Sequence, residues 1–150
     1  MGCEESSDEK MFTAISTLPS FNIISLDSTK IIKSTDLGSG KSLIFFFFSP
    51  GCEHCQKEAE QLVKMGNTSS DITIFLITEE SLQEARAFTK FYGLNKLKNV
   101  LVGKDYQYSF FKIFLPQSIP FIVVYGRNKQ IKKIFLGETD LRLIESTLNE

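Results

Sequence analysis

The chain has 150 residues, 42% of them hydrophobic, and a net charge of −1 at pH 7. That length suits one compact domain with a core of its own, and the even mixture of acidic and basic residues excludes a polybasic nucleic-acid surface. No apolar run approaches the ~20 residues of a membrane-spanning helix, and three cysteines are too few for a disulfide scaffold.

Residues 1–10, MGCEESSDEK, are polar, acidic and aperiodic, and read as a flexible leader to a domain over 11–150. Cys3 within it admits three readings. It is the lipidated first residue of a mature bacterial lipoprotein with Met1-Gly2 placed in front, its signal peptide removed. Alternatively, MGCEES fits a Met-Gly-x-x-x-Ser myristoylation pattern with a neighbouring palmitoylatable cysteine. The third reading is an incidental thiol. The lipoprotein is the expectation carried forward.

Residues 21–25 form a short apolar segment, followed by the turn-rich STDLGSGKS. Residues 43–48, LIFFFF, are continuously apolar between Ser42 and Ser49-Pro50-Gly51, as in a strand buried on both faces. Helical spacing of Cys55, Ala59, Leu62 and Val63 then predicts a helix over 52–65. DITIFLIT at 71–78 is a second strand. A helix marked by Leu82, Ala85, Phe88 and Phe91 follows, with Gly93 placed to end it. Residues 100–102 make a short strand and 106–114 an aromatic helix. Residues 121–125 and 131–136 flank GRNK as a hairpin, and a last helix spans about 140–148. Strands alternating with helices, closed by a hairpin, predict an α/β fold with a central mixed sheet covered by helices.

The pair Cys52-Glu53-His54-Cys55 stands where the most apolar strand gives way to a helix. Three chemistries compete for it. Structural zinc requires four ligands, and beyond the pair the chain offers only His54 and the distant Cys3. A purely structural disulfide closes too short a loop to gain much. Redox exchange fits better. The first helical turn has unpaired N–H groups and the positive end of the helix dipole, which favour a thiolate at Cys52. A residue three positions on shares its helix face, so Cys55 is within reach of a disulfide. Glu53 and His54 pull in opposite directions. A charged Glu53 disfavours a neighbouring thiolate and makes the pair more reducing, whereas a protonated His54 favours it and makes the pair more oxidising.

LPSFNIISLDSTKIIKSTDLGSGKSLIFFFFSPGCEHC and SIPFIVVYGRNKQI together resemble two signatures of the thioredoxin superfamily, and within it the TlpA/ResA-like thiol-disulfide oxidoreductases of bacterial envelopes. The resemblance spans about 18–148. It implies a three-layer fold with helices on both faces of the sheet. Cys52 becomes the exposed nucleophile and Cys55 the buried resolving thiol. Pro120 becomes a cis proline facing the pair, and Ile119 offers backbone to an extended substrate; without the resemblance, Pro120 reads as an ordinary strand-start proline. Glu58, one turn past Cys55, becomes a proton carrier, a role that requires burial; otherwise it is a solvated helix glutamate.

The chain departs from the superfamily by lacking tryptophan altogether and by having Phe46 where thioredoxins bury an aspartate. The activity implied is reduction of protein disulfides, with no metal or organic cofactor. Its partners would be client dithiols and disulfides, with a membrane or periplasmic thiol donor and no nucleic acid, in the bacterial envelope. Two rivals stand beside it. One is a peroxiredoxin-like peroxidase, for which Ser49-x-x-Cys52 supplies half a motif but Phe45 replaces the proline. The other is a non-catalytic thioredoxin-like binding module.

Overall fold

A computed structural model describes residues 7–37 and 40–150. In chain order the elements are α1 (Ser7–Ser16), β1 (Asn22–Ser25), β2 (Ile31–Lys33), β3 (Ser42–Phe47), α2 (Glu53–Thr68), β4 (Ile72–Thr78) and α3 (Leu82–Tyr92). They continue with β5 (Val100–Lys104), α4 (Ser109–Phe114), β6 (Phe121–Tyr125), β7 (Ile131–Leu136) and α5 (Leu141–Leu148). The seven strands form one sheet in the order β2-β1-β5-β4-β3-β6-β7. β3 pairs with β4 and β4 with β5 in parallel, while the β3–β6, β6–β7, β5–β1 and β1–β2 pairings are antiparallel. The mixed sheet expected from the strand–helix alternation is present.

All six residues of β3 are buried, which follows from its central place between β4 and β6. Successive side chains in a strand point to opposite faces, so the aromatic run feeds two cores. Ile44, Phe46 and Phe48 pack with Cys55, Ala59 and Leu62 of α2, Phe88 of α3 and Ile144 of α5. Leu43, Phe45 and Phe47 pack with Ile15 of α1 and with Phe110 and Phe114 of α4. Helices therefore cover both faces, and the domain has three layers.

α2 runs on past 65 to Thr68, and three further boundaries differ from expectation for local reasons. α1 begins at Ser7, inside the stretch read as leader; Cys3 lies outside the described residues. Ile15 is buried, and the Tyr125 hydroxyl donates to its carbonyl at 2.6 Å, so the sheet holds a helix whose own polar sequence does not announce it. α4 starts at Ser109 rather than 106 because Tyr108 adopts a left-handed conformation (φ 56°). The carboxylate of Asp105 accepts the N–H groups of Phe110 and Phe111 at 3.1 and 3.0 Å and sets that start. β5 runs two residues past 102 because it pairs with both β4 and β1. Gly93 ends α3 in the left-handed region (φ 67°), where glycine carries no steric penalty.

Candidate redox site

β3 delivers the chain to a Ser-Pro-Gly turn at the edge of the core. The Cys52 N–H closes that turn on the Ser49 carbonyl at 3.0 Å, and Gln56 Nε2 braces it by donating to the Pro50 carbonyl at 2.9 Å. Cys52 is the N-cap of α2. Its sulfur accepts the Cys55 N–H at 3.3 Å, a role usually filled by a side-chain oxygen. Both cysteines are free thiols, Cys52 half-buried and Cys55 buried. The sulfur at the helix end is thus reachable and its companion is enclosed one turn behind. Burial pushes the Cys55 thiol well up, and its hydrogen bond to the Cys52 sulfur adds to this. Cys55 therefore holds its proton until something removes it.

Glu58 lies one further turn along α2 and is only 1% exposed. Its Oε1 accepts the Thr139 N–H at 3.0 Å. Burial raises its pKa to about 7; the Thr139 hydrogen bond opposes that rise, and the charges of Glu138 and Asp140 add to it. Here the solvated-glutamate reading of the sequence fails on burial.

Residues 137–140 contribute groups with no counterpart in the sequence reading. Gly137 (φ 78°) donates its N–H to the Pro120 carbonyl at 2.9 Å and accepts from the Thr139 hydroxyl at 3.0 Å. Glu138 Oε1 lies 3.1 Å from Nδ1 of His54. One short loop therefore touches the strand start at Pro120, the residue between the cysteines and the buried glutamate. Only the capping aspartate of the following helix, Asp140, marks this loop in the sequence.

Glu53 is exposed and sits 3.8 Å from Lys57 in an i,i+4 pair, an arrangement that contributes little at a surface. His54 engages Glu138 as described. The Ile119–Pro120 peptide is cis. Pro120 is buried and Ile119 is 41% exposed. Antiparallel pairing of Phe47 with Phe121 sets this peptide beside the end of β3, just before the cysteine turn. Among the described residues, no group of three or more His, Cys, Asp or Glu side chains is arranged to hold a metal ion, and no helix is long and apolar enough to cross a membrane.

No protein-family profile matches the chain, and no curated protein sequence does so. Solved structures do. A thiol:disulfide interchange protein of the thioredoxin family from Chlorobium tepidum superposes with a TM-score of 0.74 at 21% identity, over 89% of this chain and 94% of that one. A secreted Mycobacterium tuberculosis disulfide oxidoreductase, homologous to E. coli DsbE, gives 0.72 at 17% identity, over 85% and 92%. StoA from Bacillus subtilis gives 0.67 at 18% identity, over 88% and 98%. The fold is thioredoxin-like, of the kind seen in these oxidoreductases.

Proposed function

We propose that the chain is a thiol-disulfide oxidoreductase that reduces disulfides of envelope proteins through Cys52 and Cys55. The observation that carries this reading is the asymmetry of the pair. One sulfur caps a helix within reach of solvent, and the other is buried with a raised pKa beside an enclosed carboxyl. A structural disulfide has no use for that difference, whereas a two-step exchange requires it.

In the first step the Cys52 thiolate attacks one sulfur of a client disulfide. A Cys52–client disulfide forms, and the other client sulfur leaves as a thiolate that takes a proton from solvent. In the second step Cys55 gives its proton to Glu58, attacks Cys52 Sγ as a thiolate and expels the second client sulfur as a thiolate, which takes that proton back from Glu58. The dithiol has then passed two electrons and two protons to the client, leaving a Cys52–Cys55 disulfide for a membrane or periplasmic thiol donor to reduce. Glu58 is the base for the second step. A carboxyl with a pKa of about 7 is matched to proton transfer near neutrality, and its charge acts directly on Cys55. The client backbone lies along the exposed Ile119 at the cis peptide. His54 and Glu53, flanked by Glu138 and Lys57, tune the thiolate of Cys52.

The secreted and interchange proteins that share the fold support an envelope location, and Cys3 is the site of a lipid tether. The test is reduction of insulin disulfides by dithiothreitol with catalytic amounts of the protein. Cys52→Ser abolishes the acceleration. A variant as active as the parent would leave only a binding module.

A further inference from the structure

A groove of about 320 Å³ lies beside the cysteine turn and counts both Ser49 and Ile119 in its lining. Its walls come from the ends of β3 and β4, the start of α4 and the segment before Pro120. Two of its polar atoms are anomalous. Glu79 Oε1 and Ser118 Oγ are screened from solvent, yet neither has a hydrogen-bond partner among the described residues. A buried polar atom without a partner costs free energy that a bound donor restores. No lysine, arginine or histidine among the described residues pairs with Glu79, Glu80 or Asp105.

The backbone around these groups is fixed in advance. Thr78 Oγ1 accepts the Glu80 N–H at 3.2 Å, and the Thr78 carbonyl accepts the Asp105 N–H at 2.8 Å. Asp105 is itself spent on the two N–H groups of α4. Phe47 and Phe111, with ring centroids 6.3 Å apart, line the same groove and supply its apolar surface. A long side chain with a methylene stem and a cationic head matches both halves, the stem on the rings and the head at the acceptors.

We propose that this groove is a specificity subsite for a lysine or arginine side chain flanking the client cysteine, with Glu79 Oε1 and Ser118 Oγ accepting from its cationic head. The subsite rests on the exchange reading, because Ser49 and Ile119 tie it to the cysteine turn and the cis peptide. Burial of Glu79 beside the like charges of Asp105 and Glu80 raises its pKa, in keeping with a negative pocket that awaits a cation. Acidic clients are disfavoured by the same field.

The experiment uses the Cys55→Ser protein and short peptides whose single cysteine is a mixed disulfide with thionitrobenzoate. Cys52 attacks the peptide sulfur and the coloured thiolate leaves. Peptides with lysine or arginine at positions flanking the cysteine react about tenfold faster than their glutamine counterparts, the size expected for a charge-assisted hydrogen bond. The ratio falls as salt is raised. It drops toward one in Glu79→Gln, falls partway in Ser118→Ala and survives in Glu84→Gln, which lies outside the groove. A ratio near one in the parent, or one unchanged by Glu79→Gln, overturns the subsite. Failure of Cys52 to react with any peptide overturns the exchange reading instead. The same peptides with serine for cysteine then decide the groove by NMR: shifts at Glu79 and Ser118 with the cationic peptide alone support it, and no shifts refute it.

Discussion

In the proposed exchange Glu58 joins stability and chemistry in one side chain. Its carboxyl titrates at about 7 in the folded protein against an ordinary 4.5. Below about pH 4 it is protonated in both states and has no effect on stability. As pH rises past 4.5 the unfolded chain releases the proton first, so the folded state loses ground until the pH has passed 7. The loss is about 3 kcal/mol. Glu58→Gln keeps an acceptor for the Thr139 N–H and removes the titration. It raises stability at pH 8 by about 2–3 kcal/mol and leaves it unchanged at pH 4, which paired urea melts will show. The same substitution slows disulfide reduction by about tenfold or more and removes an inflection near pH 7 from the pH–rate profile. The expected variant is more stable and slower in the proposed exchange. The spacing from Cys55 pointed to this glutamate in the sequence, but its burial depends on Thr139, 81 positions away, and no local pattern encodes that.

Among the elements, β3, β4 and β6 were legible because each is an unbroken apolar run, and a run of that kind has few places to go except the middle of a sheet. α2, α3 and α5 were legible from helical spacing and, for α3, from Gly93 at its end. α1 was not. Its sequence is polar, and it is held by tertiary contacts at its last turn. Tyr125→Phe removes the hydroxyl that reaches the Ile15 carbonyl and leaves that acceptor buried and unpaired. It costs about 1–2 kcal/mol, and amide exchange in α1 accelerates before the rest of the domain opens. The loop at 137–140 is the other element that sequence patterns could not assign to the site, since it arrives by way of the β6–β7 hairpin. Because the Glu138 charge adds to the rise at Glu58, Glu138→Gln lowers the Glu58 midpoint, which a carboxyl NMR titration of the two proteins will register.

For the molecule as a whole, the aromatic run after Ser42 shows how site and scaffold divide the labour. Phe45 and Phe46 are fully buried on opposite faces of the sheet, so the strand that delivers Cys52 is clamped from both sides. Phe45→Ala opens a cavity among Phe21, Phe110 and Tyr125 and costs about 3–5 kcal/mol in denaturant unfolding. The sequence carried the fold class and the cysteine pair because both are written in short, local patterns. The acidic groove was invisible to it, since Glu79 and Ser118 line one groove only after β4 and the segment before β6 come together. The proposed exchange depends on a division of labour between two sulfurs. The most direct test is mass spectrometry after reaction with a peptide disulfide. Cys55→Ser is predicted to accumulate a single peptide adduct on Cys52, while the parent releases reduced peptide and carries a Cys52–Cys55 disulfide. A Cys55→Ser protein that forms no adduct on Cys52, or a parent that never forms the internal disulfide, would contradict it.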